Sequence, residues 1–484
     1  MMAKRLEQKP DKKMKSSEAD QLSLVDFLKT DQKLAKSNVY AHNHNLKENP
    51  IENWFTLVAG FSGNFVKECF KKYDVRNGQV VLDPFVGTGT TALVSMFDKK
   101  KAIGVDINPF NHIVAKTKTN FNVDKKLLGQ YLALFKKELK PLMKEDNDFV
   151  FESIPVREIK SHLSSIWENR RNGKNNAPDS HTDDVSMPHL QEWISPTVLK
   201  KISILKKLLK KCNSEINSEE IENYGIVAFG AILIPISNMQ LAGPKIAYRR
   251  KQGQRVICLD APVFTLFMKK LEGMVTDAEY FQDDSQFCHP ELYLGDARKL
   301  DSIIDKKVDI AITSPPYLNE VDYLDNTRLQ LYLLDYLSND TELRQLKQQM
   351  IRANSKYLFN NNRDYPGNTP KIATFDEISL LCEKIGVKRL ERKWGWDHPR
   401  LVAEYFIDMT HHLQAVKNCL HPEGHYIIMV GDSAINQVLV PTDTILSKIA
   451  LDIGFSSAQV EPFRWRGSSR HTTKLQESLV ILKN

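Results

Sequence analysis

The stretch "GQVVLDPFVGTGTTALVSMFDKKKAIGVDINPF" (Gly78–Phe110) narrows the fold more than any other part of the chain. An apolar run at Val80–Leu82 ends in an acid. A glycine-rich turn follows, then helical spacing over Thr91–Phe97 and a second strand pattern at Ala102–Val105. Two short strands joined through a helix form a βαβ unit, whose strands run parallel. Parallel strands are buried on both faces, so further helices must cover them. The chain is expected to build an α/β sheet.

The remaining strand patterns are scattered. Residues 1–45 are lysine-rich, with no sustained apolar period before "LSLVDFL", and read as a mobile N-terminal tail. The first part of the sheet domain is placed at 46–115. Over 116–290 amphipathic helices such as "LKKISILKKLLKKC" (Leu199–Cys212) dominate, and "RRNGKNNAPDSHTDDVSMP" reads as a loop. Strand patterns resume over 291–318, in "ELYLGDARKL" and "VDIAITSPPY". A second helical insert is placed at 319–399. The segment 400–484 adds a helix at Leu401–Leu420 and late strands in "LHPEGHYIIMVGDS" and "ESLVILK". One sheet assembled from three segments, carrying two helical insertions, is the economical architecture.

Composition bounds the partners. Hydrophobic content of 42% with 26% charged residues fits a globular protein, and a net charge of +7 permits an anionic partner. The six cysteines form no CxxC pair, which argues against structural zinc and fits free thiols. His42, His44, His411 and His412 have no matching ligands nearby, so no metal is expected. The N-terminus carries no secretory pattern. The longest apolar run, "GIVAFGAILIPIS" (Gly225–Ser237), is too short to span a bilayer and reads as a buried helix. A cytoplasmic protein without a membrane partner is expected.

In "LDPFVGTGTT", Gly87 and Gly89 stand where a strand turns into a helix, which lets backbone N–H groups approach a ligand closely. Asp106 ends the next strand about 20 residues on, where an acid accepts from ribose hydroxyls. The Gly-Lys-Ser/Thr of a phosphate loop is absent, and Asp83 would repel a phosphate. That acid suits a positively charged ligand, such as the sulfonium and amino group of S-adenosylmethionine. A plain strand–helix turn is the structural alternative. A second feature, "DIAITSPPYLNE" (Asp309–Glu320), ends a strand in a hydroxyl and two prolines. The prolines remove two backbone donors, fix two φ angles and bias Ser314 toward an extended conformation, making a rigid corner.

The order of "DPFVGTGTT", "VDINP", "GDAR" and "TSPPY" resembles that of the S-adenosylmethionine-dependent DNA amino-methyltransferases, which methylate the exocyclic amine of cytosine or adenine. The resemblance covers Ile51–Phe110, Glu291–Arg328 and Leu401–Asn484. It implies a Rossmann-like, seven-stranded class I methyltransferase sheet with helical insertions. It also implies a cofactor site at Asp83, Pro84, Phe85, Gly87, Gly89, Thr90 and Thr91. Asp106, Ile107 and Asn108 would meet the ribose and adenine, Asp296 and Ala297 the adenine amino group, and Phe61 and Ser62 the methionine end. The corner Ser314, Pro315, Pro316 and Tyr317 would be catalytic. An exocyclic amine is a poor nucleophile because its lone pair is delocalised. The Ser314 hydroxyl and the Pro315 carbonyl would hold its two N–H bonds, and Tyr317 would stack on the flipped base. Serine at that position is most typical of cytosine-N4 enzymes and aspartate of adenine-N6 enzymes. The function expected is thus site-specific methylation of cytosine N4 in duplex DNA, with a cognate restriction endonuclease as a possible partner. Adenine-N6 methylation, RNA methylation and a catalytically silent DNA-binding regulator stand as alternatives.

Candidate DNA contacts come from basic segments. "LAGPKIAYRRKQGQR" (Leu241–Arg255) reads as a glycine-punctuated loop offering Lys245, Arg249 and Arg250. Tyr323 and Arg328 would line the substrate cleft. Trp394 lies in a second basic stretch, and Arg466 and Arg470 precede the last strand. The 116–290 insert, being larger, is the expected target-recognition region.

Overall fold

The computed structural model describes residues 50–56, 60–172, 187–242, 245–281, 287–358, 369–391, 396–467 and 474–484. The expected N-terminal tail and the loop at 173–186 lie outside them, as do Trp394 and Arg470. Seven strands form the main sheet, numbered here by chain order. They are β1 (Val80–Asp83), β2 (Lys101–Asp106), β3 (Glu291–Leu294), β4 (Val308–Thr313), β5 (Leu420–Gly431), β6 (Ser457–Gly467) and β7 (Lys474–Lys483).

Their spatial order is β6-β7-β5-β4-β1-β2-β3. All neighbouring pairs from β3 to β5 are parallel, and β7 runs antiparallel to both β5 and β6. This is the expected α/β sheet of a class I methyltransferase. Helix α1 (Gly63–Lys72) packs on α2 (Thr90–Phe97), which links β1 to β2, and α3 (Pro109–Lys118) follows β2. Helices α4 (His398–Cys419) and α5 (Thr442–Asp452) pack on the other half of the sheet.

The central strands β1, β2, β4 and β5 are largely buried, as parallel strands should be. Val81, Ile310, Ile312 and Ile427 pack on Phe65, Val66 and Phe70 of α1. Leu82, Ala311 and Ile428 face Tyr405, Phe406 and Met409 of α4. The strand order reverses at β1 and β4, whose carboxyl ends diverge into separate loops. A ligand crevice forms at such a switch point.

The first insert shares a core with the sheet's helices. Phe110 and Val114 of α3 belong to the same apolar cluster as Leu205, Tyr224, Phe229 and Phe267 of the insert helices. Its described helices run over Lys125–Met143, Ile159–Asn172, Leu190–Trp193, Pro196–Ile216, Glu219–Ile232 and Val263–Tyr280. The apolar run at Gly225–Ser237 is largely buried, and most of it is helical. The insert is not purely helical, however. The expected loop at Leu241–Arg255 is largely strand: Met239–Ala242 pairs with Lys245–Tyr248, and Arg250–Lys251 with Gln254–Asp260. The last of these also pairs with Val150–Ile154. No described helix is long and apolar enough to cross a membrane.

Candidate active site

A cleft with about 1280 Å³ of empty space, including its open mouth, lies at the carboxyl ends of β1, β2, β3 and β4. Gly89 makes the turn into α2 with φ +92°, a conformation that favours glycine. A Cβ there would stand 3.1 Å from the Ala115 Cβ and 3.2 Å from its Cα. The turn therefore presses its backbone against α3, which leaves room for the cleft on the other side.

Two buried acids stand on the cleft wall. Asp83, at the end of β1, accepts hydrogen bonds from Thr91 Oγ1 (2.6 Å), Thr313 Oγ1 (2.5 Å) and the Phe85 N–H (3.1 Å). Burial pushes its pKa up to about 6, against the pull of these donors. Asp106, at the end of β2, accepts from the Gly87 N–H (2.9 Å) and the Asn108 N–H (2.7 Å). Burial raises it to about 7, with repulsion from Asp83 adding to the rise. Such a pair favours a cationic group nearby.

Most of the expected cofactor residues line this cleft: Phe61, Asp83, Pro84, Phe85, Gly87, Thr90, Asp106, Ile107, Asn108, Asp296 and Ala297. Ser62, Gly89 and Thr91 do not line it. Ser62 stands at the N-cap position of α1 without a side-chain capping bond, and Thr91 spends its hydroxyl on Asp83. The side chain of Asn108 is also committed: its oxygen caps α3, and its amide donates to Thr327 Oγ1 at 2.8 Å. Asp296 is paired bidentately with Arg298, which also donates to the buried Asp408 at 2.6 Å.

Several lining residues carry no sequence signal. Among the described residues, the buried acceptor Asn111 Oδ1 has no hydrogen-bond partner. Lys118 donates to the carbonyls of Phe55 (2.7 Å) and Glu52 (3.1 Å), and burial lowers its pKa to about 7. Behind the lining, His412 of α4 joins the Ala297 carbonyl (2.9 Å) to the Tyr426 hydroxyl (2.6 Å), and its ring meets that of Phe85 at a tilt of 58°. Burial drops its pKa to about 4, which makes it a neutral packing histidine.

The proline corner meets the same cleft. Ser314 and Pro316 line it, and the Pro316 carbonyl accepts from Tyr405 Oη at 3.2 Å. Pro315 is buried. Tyr317 differs from expectation. It is only 9% exposed and does not line the cleft, because its hydroxyl points to Glu477 Oε1 on β7 at 2.8 Å. The ring that lines the cleft there is Tyr323, whose hydroxyl accepts from the Tyr317 N–H at 3.3 Å.

The candidate DNA residues divide. Lys245 and Arg250 are exposed on the short strands of the first insert. Arg249 is instead turned inward, donating to the carbonyls of Ile234, Pro235 and Ser237. Arg328 lies outside the cleft, between the rings of Trp193 and Tyr332 and 3.8 Å from Asp325 and Asp340. The backbone of Arg466 belongs to β6. Among the described residues no group of three His, Cys, Asp or Glu could hold a metal, and the six cysteines are free.

Sheet order and cleft together fit the class I methyltransferase fold. A family model described as DNA methylase matches residues 3–118. The chain is 24% identical over 444 residues to the type II methyltransferase M.BsoBI of Geobacillus stearothermophilus, covering 87% of this chain and 81% of that one. It is 21% identical to M.MvaI of Kocuria varians, with 76% and 73% covered. It is 25% identical to M.MjaII of Methanocaldococcus jannaschii, with 57% and 62% covered. These matches support the DNA amino-methyltransferase family, whose enzymes use S-adenosylmethionine. The cleft fits that cofactor: two acids for a cation, an orphaned acceptor at Asn111, and apolar walls at Phe61, Phe85 and Ile107.

Proposed function

We propose that this DNA methyltransferase acts on the exocyclic N4 amine of cytosine in duplex DNA, as the modification enzyme of a restriction–modification system. The carrying observation is that the acceptor at the head of the proline corner is a hydroxyl, Ser314, on the same cleft wall as Asp83 and Asp106. The relatives' names, type II methyltransferases, support the restriction–modification part of this reading, in which a cognate endonuclease would be the partner.

When bound, S-adenosylmethionine supplies an electrophilic methyl group on a sulfonium. Asp83 and Asp106 would hold the cofactor's positive charge and ribose, and Asn111 would accept from it. Ser314 Oγ and the Pro315 carbonyl accept the two N–H bonds of the amine, so that its lone pair turns toward the methyl group. The corner is preorganised because its prolines cannot rotate about φ, so little reorganisation is needed in the transition state. Tyr323 stacks on the flipped base, a contact worth about 1–3 kcal/mol. Lys245 and Arg250 contact phosphates, and the first insert reads the target sequence.

Nucleoside mass spectrometry of DNA from cells expressing the gene tests the base: N4-methylcytosine is expected, and N6-methyladenine overturns the assignment. Ser314→Ala should keep cofactor affinity and lose at least about a hundredfold in turnover, the size of effect seen when one preorganised polar partner is removed. Parental turnover in that variant would remove Ser314 from the mechanism.

A further inference from the structure

With the cofactor's sulfonium at Ser314, beyond the end of β4, its ribose would meet Asp106 at the end of β2. Strand β3 lies next outward from β2, one strand spacing of about 4.8 Å further on. Its exit adjoins the ribose acid, because the Gly295 N–H donates to the Asp106 carbonyl at 2.9 Å. The purine, projecting from the ribose away from the sulfonium, would therefore fall over Gly295, Asp296 and Ala297. Gln349, Met350 and Ile351 of the second insert line the same cleft. Asp296 brings the one carboxylate among these six residues. An ionised carboxylate accepts from an exocyclic amine and repels a carbonyl oxygen. Asp296 is held by Arg298, whose Nε donates to Oδ1 at 3.0 Å and whose Nη2 donates to Oδ2 at 2.8 Å. Two residues so close in sequence fix each other, but not their place in the fold. The outside anchor is Asp408, a fully buried acid of α4. Its Oδ1 accepts from Arg298 Nη1 at 2.6 Å. Its Oδ2 accepts from the Arg352 N–H at 2.9 Å and from Arg352 Nε at 2.8 Å. Arg298 Nη2 also donates to the Gln349 carbonyl at 3.0 Å.

We propose that Asp408 is a positioning residue for the purine subsite. Through Arg298 it aims Asp296 at the exocyclic amine of the cofactor's adenine, and through Arg352 it sets the Gln349–Ile351 segment beside it. This rests on the reading above that places the sulfonium at Ser314. Asp408 does not line the cleft and acts only through its two arginines. Arginine suits both places, because a planar fork can bond two groups at once where an ammonium is a single point of charge. The bonds are charge-assisted, hence short and directional. One buried acid thus ties the exit of β3 and a loop of the second insert to the same helix. A merely structural Asp408 would affect every cofactor analogue alike, whereas a positioning Asp408 governs recognition of the amine.

Calorimetric titration of the full-length enzyme, without DNA, reads this with two ligands, S-adenosylhomocysteine and S-inosylhomocysteine. The second carries a carbonyl oxygen where the first carries the amine. The parent should bind the adenosyl compound at least about tenfold more tightly, the scale of a hydrogen bond to a charged group. Asp296→Asn, whose amide can face either group, should bring that ratio to within about threefold of one. Asp408→Asn keeps the shape and loses the charge, and Arg298→Lys keeps the charge and loses the fork; each should shrink the ratio as far. If the parent ratio is near one, or Asp296→Asn keeps it, Asp296 does not read the purine and the proposal falls with that placement. If Asp296→Asn shrinks the ratio but folded Asp408→Asn or Arg298→Lys keeps it in full, even with weaker binding of both ligands, the positioning role alone is refuted. Should Asp408→Asn fail to fold, Arg298→Lys decides. Because no DNA is present, these results do not depend on which base is methylated.

Discussion

Replacing Asp83 by asparagine should stabilise this enzyme while damaging it. Asp83 is 3% exposed, and burial raises its pKa from the ordinary 3.8 to about 6. Each tenfold in an ionisation constant is about 1.4 kcal/mol, so at pH 8 ionisation favours the unfolded chain by about 3 kcal/mol. The folded pKa is the raised one. The acid's favourable contribution is thus fully present below pH 3.8 and is lost as pH rises through about 6. Asparagine has nearly the same shape and carries no charge, and the Thr91 and Thr313 hydroxyls can rotate to meet its amide. Without cofactor, Asp83→Asn should gain about 3 kcal/mol at pH 8 and almost nothing at pH 4. With an unfolding entropy of about 2.1 cal/mol/K per residue, the gain is about 3 °C in Tm for a chain unfolding as one unit. Cofactor affinity should fall at least about tenfold, since a charge-assisted partner for the cation is removed. Circular-dichroism melts at both pH values, with calorimetric titration of S-adenosylmethionine, measure both effects. A variant that melts at or below the parent at pH 8, or gains equally at pH 4, would refute the buried-charge account.

Two further substitutions probe the scaffold. Gly89→Ala should cost about 1–2 kcal/mol for the left-handed backbone alone, plus the approach to Ala115, read as a lower denaturant midpoint and weaker cofactor binding. Arg249→Met should lower stability by about 1–3 kcal/mol through orphaned carbonyls and leave the salt dependence of DNA binding unchanged. The Lys245→Ala, Arg250→Ala double variant should do the opposite, flattening the log–log salt slope by about two.

What could be read from the chain beforehand was what is local. The unit from Val80 to Asp106 was legible because strand, glycine turn and helix are contiguous, and β1, α2 and β2 lie within a residue or so of their expected ends. The rest of the cleft was not legible, because it comes from segments that carry no motif. Asn111 and Lys118 sit on α3 among residues that look like ordinary helix, and only the approach of Phe55 and Glu52 gives Lys118 its burial. His412 reads as one of two adjacent histidines until the fold brings Ala297 and Tyr426 to its ring. The segment Leu241–Arg255 reads as a loop because strands of two to four residues, punctuated in the sequence by Gly243, Pro244 and Gly253, show no clear alternation. Edge strand β6 escaped notice for a related reason: it contains Pro462, a residue that fits only the rim of a sheet.

The bond from Thr313 to Asp83 spans 230 residues of chain. A ribosome adding about 5–20 residues per second needs roughly 10–50 s to cover that interval. Through that time β1 has one neighbour, β2, and its other edge is unpaired. The long first insert emerges in the same interval and already holds the partners that bury Phe110 and Val114 of α3. Its folding during synthesis would shield the half-built sheet from other nascent chains. In that sequence of events the insertion between β2 and β3 would guard the sheet against misassembly until β4 arrives.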